Sequence, residues 1–463
     1  MPANPPANLS RSLKFLVVGV LYFAEGIPFG FIITAMNAYM AGQGVPPEKI
    51  GILSLLGLAW SLKFFWSPLV DLTGSRTSWM VGAQVTMILC LLGLSFLVGR
   101  PVTLWFWVLL GVLCVASATQ DLAVDAYTID FLETRELGMA NGIRSGAYRV
   151  GSLAAGSGLL ILSDWLGWRP ALVGIGVLLA ALVVTILAFR PFRLPRPPEA
   201  LAARSAAQES GLLLEGFHKL FSAPLQGLSM LSNLAVSFIN QVFTGLARHP
   251  HLGVIIVFIL IYKAGDALMG IMVIPFWKAQ QFTNTEIGAV SGILGAVATT
   301  LGGFLGGWFT TRYGIGRGLL VLGLFQAVSN LGYWVAALPG VGRSAVCTLH
   351  LPFWDQSFPI YPIYLASQGE SFSSGLGYAP FMAFMMSLCD KRFSATQYAF
   401  FVFLAVLSGR LMGFLGGFGV KYLGYADFFF VTFLVSLPAF ALLPWVLPVI
   451  RGIEERGSGV SGQ

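Results

Sequence analysis

Runs of about 20 apolar residues, the length an α-helix needs to cross a hydrocarbon core, recur along nearly the whole chain. They extend from LKFLVVGVLYFAEGIPFGFIITAM near the start to FFFVTFLVSLPAFALLPWVLPVI near the end. Glycine and proline are scattered through them, as membrane helices tolerate. The composition agrees: 56% hydrophobic and 10% charged residues with a mean hydropathy of +0.79, against about 25% charged in soluble domains. The chain therefore reads as an all-α, multi-pass membrane protein. Its basic start resembles a signal peptide, but the apolar run continues to about Met36 with no small-residue cleavage site, so it reads as a retained first span.

Apolar runs and their punctuation predict twelve transmembrane helices, near residues 15–36, 50–71, 79–99, 103–128, 138–163, 168–189, 252–277, 284–310, 317–338, 369–389, 394–420 and 426–449. With the N-terminus inside, sixteen Lys and Arg residues fall in inner segments and six in outer ones. That bias predicts that both termini are cytoplasmic. The net charge of +7 thus reflects loop topology, and no nucleic-acid partner is implied. Cys90, Cys114, Cys347 and Cys389 lie on separate segments without metal-ligand spacing, so neither a metal site nor a disulfide is expected.

Two halves show in self-comparison. YFAEGIPFG (22–30) aligns with YKAGDALMG (262–270) at an offset of 240, and KIGILS (49–54) with EIGAVS (286–291). SPLVDLTGSR (67–76) aligns with GWFTTRYGIG (307–316), while Arg149 before a later LGW finds a counterpart in Arg410 before LGY. Parallel duplication of six-helix halves is the pattern of the major facilitator fold, with a substrate site near the bilayer midplane between the halves. The organisation expected is a first half over 1–189, a cytoplasmic linker with an amphipathic helix over 190–251, a second half over 252–450 and a cytoplasmic tail over 451–463. The amphipathic reading falls on 209–248; an outer loop over 340–368 carries aromatic residues that serve either as interfacial anchors or as a cap on a sugar-bearing ligand.

SPLVDLTGSR also resembles the facilitator loop pattern G-x-L-A-D-R-x-G-R-R at Leu69, Asp71, Gly74 and Arg76. In that family the acidic residue and the basic turn clamp neighbouring helices, which gives Asp71 and Arg76 a gating role. The other reading is a loop that merely obeys charge topology, and the second copy has Thr311 in the place of the acid.

Ionisable residues inside a membrane are costly, about 2.5 kcal/mol or more each on insertion scales, and usually face a partner or a wet cavity. In the facilitator arrangement spans one, four, seven and ten line the cavity. Here they carry Glu25, Asp121 with Asp125, Lys263 with Asp266, and Glu370, while Lys63, Arg144, Arg149 and Arg410 supply counter-charge. Asp121 and Asp125 are four residues apart and share one helix face. One of them paired with Arg144 or Arg149 stays ionised, and the other is free to carry a proton; the alternative is that both only tie span four to span five. Glu25 is a second proton candidate, or a carboxylate satisfied by Lys63. Lys263 and Asp266, three apart, are placed to neutralise each other locally, with Lys263 still available to attract an anionic substrate. The glycine runs GSLAAGSG (151–158) and GGFLGG (302–307) read as close helix packing rather than phosphate cradles.

IGILSLLGLAWSLKFFWSPLVD, TQDLAVDA, RELG, YRVG, YKAGDA, SNLGYW and SLCDKRFSATQYA together resemble the AmpG-type muropeptide permeases, a branch of the major facilitator superfamily related to acetyl-CoA transporters. The resemblance implies proton-linked import of N-acetylglucosaminyl-anhydromuramyl peptides across a bacterial inner membrane for cell-wall recycling. By motif match it carries over Asp121, Asp125, Arg149, Lys263, Asp266 and Gln397. The longer 209–248 stretch, the aromatic outer loop, and Glu25 where the pattern has a small residue are departures.

The chain is accordingly expected to be a secondary transporter and not an enzyme, without cofactor, acting as a monomer on protons and an anionic sugar-peptide. Proton coupling falls to Asp121, Asp125 and Glu25, and substrate binding to Lys63, Lys263, Asp266, Glu370 and Gln397. Arg144, Arg149, Arg410, Asp71 and Arg76 take charge pairing and gating. Two alternatives are a carrier of another anionic solute such as acetyl-CoA, and a non-transporting assembly factor on the same scaffold. A membrane enzyme fits least: His218, His249, His251 and His350 lack zinc-ligand spacing and no GxSxG elbow occurs.

Overall fold

A computed structural model describes residues 10–66, 70, 75–132, 137–189, 192, 251–350, 357–388 and 394–458. The expected amphipathic stretch over 209–248 lies outside the described residues, as do Asp71 and Cys389.

In chain order, α1 (Arg11–Gly30) runs through π-helical Phe31–Met36 into α2 (Asn37–Gly42). Short pieces α3 (Pro47–Ile50), α4 (Ile52–Leu56) and α5 (Leu58–Leu62) follow, then α6 (Arg76–Leu97) and α7 (Leu104–Phe131). Next, α8 (Leu137–Leu153) passes through π-helical Ala154–Gly158 into α9 (Leu159–Leu166), and α10 (Trp168–Ala188) completes the first series. The second series is α11 (Leu252–Tyr262), α12 (Ala264–Ala279), α13 (Asn284–Glu286) with π-helical Ile287–Leu294, α14 (Gly295–Tyr313) and α15 (Ile315–Ala337). It ends with α16 (Pro362–Ser387), α17 (Ser394–Ala441) and α18 (Leu443–Ser458). Between α15 and α16, β1 (Cys347–His350) and β2 (Ser357–Ile360) form an antiparallel hairpin in part of the expected outer loop, pairing Cys347 with Ile360.

Local signals explain several boundaries. Ser75 caps α6 in a reciprocal capping box with Ser78, and Thr283 caps α13 in another with Glu286. Gly167 (φ 83°, ψ 164°) separates α9 from α10, and Gly424 (φ 73°, ψ 172°) kinks α17. Only glycine adopts that conformation cheaply. These are the glycines of LGW and LGY, so corresponding points of the two repeats turn in the same way.

Among the described residues, eight helices are long and apolar enough to cross a membrane. The two spans expected at 394–420 and 426–449 lie on either side of Gly424, whose non-helical backbone divides α17 into two helical parts. The span expected at 50–71 is broken at Gly51 and Gly57. Polar side chains interrupt the apolar character of the stretches expected to cross at 138–163 and 369–389, Asn141, Arg144 and Arg149 in the first and Glu370 with several serines in the second.

The chain forms two compact units: Met1–Ile32 with Ala59–Gln241, and Ile33–Leu58 with Val242–Gln463. In the first, α1 and α8 pack backbone to backbone. A methyl group added at Gly26 or Gly30 would collide with the carbonyl of Tyr148 or Ser152, and one at Gly151 with that of Phe23. Val18, Leu21 and Tyr22 of α1 join Met80, Val124 and Tyr127 in a fully buried apolar cluster.

In the second unit, Gly302 and Gly306 of α14 meet the backbone of α16 at Phe372 and Leu376, and Gly375 returns the contact at Thr299. Both glycine runs therefore pack helices. The compact units do not coincide with the sequence repeat at 33–58, which packs inside the second unit. Asn37 Nδ2 donates to the Ile271 carbonyl (2.9 Å), Ser54 Oγ donates to that of Arg410 (3.0 Å), and Lys421 pairs with Glu48 (2.8 Å).

Candidate functional site

The first unit gathers most of its expected charges into one cluster. The helical register of α7 sets Asp121 and Asp125 one turn apart on a shared face. Arg144 of α8 pairs with Asp125 Oδ1 at 3.1 Å, and Tyr22 of α1 donates to the same oxygen at 2.8 Å. The Arg144 guanidinium lies 4.7 Å from the centre of the Tyr22 ring. Lys63 reaches Asp121 Oδ2 at 3.6 Å and Asp125 Oδ2 at 3.7 Å. Asp121 is the more enclosed acid, its side chain 8% exposed against 30% for Asp125.

Glu25 is buried on α1 within electrostatic range of both aspartates, Lys63 and Arg144. Its Oε2 has no hydrogen-bond partner, and the ion pairs of Lys63 go to Asp121 and Asp125. Satisfaction of Glu25 by Lys63, one of the two expected fates, is therefore not how this cluster is wired. Three carboxyl groups meet two cations here. With every group ionised the cluster holds a net negative charge, and one bound proton neutralises it.

The second unit has a smaller cluster of the same character. Lys263 and Asp266, one turn apart at the start of α12, form an ion pair of 3.6 Å. Gln326 of α15 sits between them, accepting from Lys263 Nζ and donating to Asp266 Oδ2. Asn330, one turn further along α15, donates to Asp266 Oδ1 at 3.5 Å. Glu370 of α16 lies within electrostatic range of Lys263 and Asp266, and Ser329 and Ser373 bond each other at 2.6 Å nearby. Two carboxyl groups again face one cation. Lys263 is thus engaged by Asp266 and Gln326 together.

The remaining expected residues are more dispersed. Arg149 is exposed on α8, so the arginine beside Asp125 is Arg144. Gln397 is buried on α17. Arg410 packs its guanidinium over Gly57 within the second unit. Arg76 Nη1 donates to the Val70 carbonyl at 3.0 Å, while Asp71 lies outside the described residues. Cys90 and Cys114 are buried and Cys347 is exposed. Among the described residues no group of His, Cys, Asp and Glu is arranged to hold a metal ion.

Several participants were not singled out in the sequence. Tyr22 and Gln326 bridge charges, and Asn330 and Ser373 extend the second cluster. Tyr22 had a signal, since it aligns with Tyr262 in the repeat. The two have diverged: Tyr22 donates to Asp125, whereas Tyr262 donates to the Leu319 carbonyl.

Ionic clusters held by membrane-crossing helices mark a pathway for substrate or ions. The chain belongs to the Major Facilitator Superfamily, which matches residues 18–416. It is 28% identical over 440 residues to the anhydromuropeptide permease of Escherichia coli (strain K12), covering 94% of this chain and 79% of that protein. It is 24% identical over 451 residues to the putative transporter AmpG 4 of Rickettsia conorii, covering 95% and 98%. Two solved structures share the fold. One is the peptide transporter POT in complex with sulfate, with a TM-score of 0.63, 11% identity and coverage of 94% and 95%. The other is a bacterial homologue of the human lysosomal transporter Spinster, inward-facing and unoccupied, with a TM-score of 0.63, 16% identity and coverage of 96% and 98%.

Proposed function

We propose that this chain is a proton-coupled importer of anhydromuropeptides, N-acetylglucosaminyl-anhydromuramyl peptides, in a bacterial inner membrane, and that it serves cell-wall recycling as a monomer. The cargo is supported by similarity to the E. coli permease over nearly the whole chain. Twelve crossings with both termini cytoplasmic, in halves over 1–189 and 252–450 with a linker over 190–251 and a tail over 451–463, are the topology that the basic-residue bias favours.

One observation carries the coupling: three carboxyl groups share two cations in the first unit, with Glu25 and Asp121 almost wholly shielded from solvent. An uncompensated buried charge is costly, so a proton on Glu25 or Asp121 lowers the cost of the enclosed state. Asp125, held by Arg144, Tyr22 and Lys63, remains the fixed anion. Protonation on the outside and release on the inside then couple the proton gradient to cargo movement. Lys63, Lys263, Asp266, Glu370 and Gln397 are assigned to the cargo, with Gln326 orienting the Lys263–Asp266 pair. Arg144, Arg149, Arg410, Asp71 and Arg76 are assigned to charge pairing and gating.

Uptake of labelled anhydromuropeptide into vesicles, with and without an imposed inward proton gradient, tests this reading. Gradient-driven accumulation is the expected result. Uptake indifferent to the gradient overturns the coupling, and preference for acetyl-CoA in a parallel assay overturns the cargo.

A further inference from the structure

Two stripes face each other across the antiparallel α6–α7 hairpin. Met80, Gln84, Met87 and Leu91 line one face of α6, and Leu113, Ser117, Gln120 and Val124 one face of α7. The register is fixed at both ends. Met80 and Val124 share an apolar cluster with Leu21 of α1. At the other end Met87, Leu91 and Leu113 line a small apolar recess with Pro28 of α1. Gln84 therefore lies level with Ser117 and Gln120. Glu25, between Leu21 and Pro28 on α1, lies at the same depth.

This middle level is polar and unsatisfied. Gln84, Ser117 and Gln120 are each 0% exposed. Both carboxamide atoms of each glutamine and the serine Oγ have no hydrogen-bond partner, and the same holds for Glu25 Oε2 and Asp121 Oδ1. Buried polar groups are normally paired, with protein or with ordered water. The chemistry of the set selects the ligand. A metal cation would take the oxygens and leave both Nε2 groups without an acceptor. Water accepts from Nε2 and donates to the carboxamide, hydroxyl and carboxylate oxygens.

On a helical wheel Asp125, Asp121, Ser117 and Gln120 follow one another around a single arc of α7. The charge cluster thus borders the glutamine level, with Asp121 beside both Ser117 and Gln120 on α7. We propose that Gln84, Ser117 and Gln120 form an internal water-binding layer of the first unit that joins Glu25 to Asp121 and passes a proton between them. The proton on Glu25 moves to a neighbouring water while that water releases one of its own to Asp121. Glu25 is left as the carboxylate, Asp121 becomes the acid, and the net charge is unchanged. The glutamines hold the water without being protonated.

The relay rests on the proton-coupled reading above. The ionisable groups around it are Tyr22 from α1, Lys63 beyond α5, Asp125 and the buried Tyr127 from α7, and Arg144 from α8. On α6 the nearest is the buried Cys90, and α10 contributes none beyond Arg169 at its start.

A structure at about 2 Å resolution, where ordered water is visible, and transport by Gln84→Leu, Gln120→Leu and the double variant provide the test. Expected are water peaks within hydrogen-bonding distance of Gln84, Gln120 and at least one of the two carboxyl groups. In the double variant, gradient-driven accumulation of labelled anhydromuropeptide should fall about tenfold or more, while counterflow at equal pH stays within about twofold of wild type. Absence of water at this level, or a cation in its place, overturns the site. Water peaks with equal loss of accumulation and counterflow, or with no loss of either, overturn the relay. Should the double variant not fold, the density in the wild-type protein still decides the site and Ser117→Ala replaces it in the transport assay. A wild-type protein that ignores the proton gradient refutes coupling itself, and the water density then judges the layer separately.

Discussion

At the scale of single residues the first-unit cluster depends on unequal sharing of partners. Asp125 takes Arg144, Tyr22 and Lys63, while Asp121 takes Lys63 alone. Asp125→Asn should therefore lower uptake about tenfold or more, since charge-assisted hydrogen bonds contribute about 1.5–3 kcal/mol each. Its effect on folding should be smaller, because the Arg144 and Asp125 side chains are 43% and 30% exposed and water screens the pair. A thermal double-mutant cycle with Arg144→Gln and Asp125→Asn should return a coupling of about 1 kcal/mol. A coupling near zero would mean that Arg144 does not anchor Asp125. This pairing was half legible in the sequence. The charges stood out because ions are rare in lipid, and a four-residue spacing gave Asp121 and Asp125 one face. Arg144 and Arg149 could not be ranked, since which one meets α7 is set by the rotation of α8 against α1. Gln84, Gln120 and Gln326 passed unnoticed because an uncharged amide interrupts an apolar run only slightly.

At the scale of elements, close backbone contact holds the cluster in register. Gly26 and Gly151 let α1 and α8 touch, and those helices carry Tyr22 and Arg144. Gly26→Val should separate them and destabilise the protein by about 1–3 kcal/mol or more, the usual cost of overpacking. Gly146→Ala, on α8 at a position where an added methyl meets nothing, should be neutral or slightly stabilising. Equal melting temperatures for the two variants would show that the contact carries no energy. A second element-scale prediction concerns α3, whose Glu48 is held below the ordinary carboxylate value of 4.5 by its hydrogen bond from Lys421. A depressed value in the folded state means that the contribution is fully present above about pH 4.5 and fades as pH falls through the lower, folded value. The gap in melting temperature between wild type and Glu48→Gln should therefore be small but measurable at neutral pH and close under acid. The glycine packing motifs were legible from spacing alone, whereas the fragmentation of 47–65 into short helices was not. A continuous apolar run gives no warning that Gly51 and Gly57 will each interrupt it, because isolated glycines are common in unbroken membrane helices.

At the scale of the molecule, duplication and charge asymmetry make separate claims. Duplication accounts for the matching turns at Gly167 and Gly424, whereas the charges of the two clusters differ between the aligned segments, Glu25 standing against Gly265 and Asp266 against Gly26. Duplication does not fix which side of the membrane any loop occupies; that rests on the Lys and Arg bias alone. A cysteine provides the discriminating probe. Cys347 sits exposed on β1, between α15 and α16, while Cys90 and Cys114 are buried inside helices. With cytoplasmic termini and twelve crossings, the loop bearing Cys347 faces outward, and Cys389 falls at the inner end of the span expected at 369–389. A membrane-impermeant maleimide applied to intact cells should modify the protein once, and Cys347→Ser should abolish the label. Labelling of Cys347 only after permeabilisation would invert this loop. It would also move Arg312, Arg317, Lys391 and Arg392 to the outer face, against the bias from which the orientation was inferred. Glu25 and Asp121 belong to the first unit and Cys347 to the second, and the net direction of a symporter follows the imposed gradients, so that outcome would overturn the topology while leaving the proton-coupling reading to its own vesicle test.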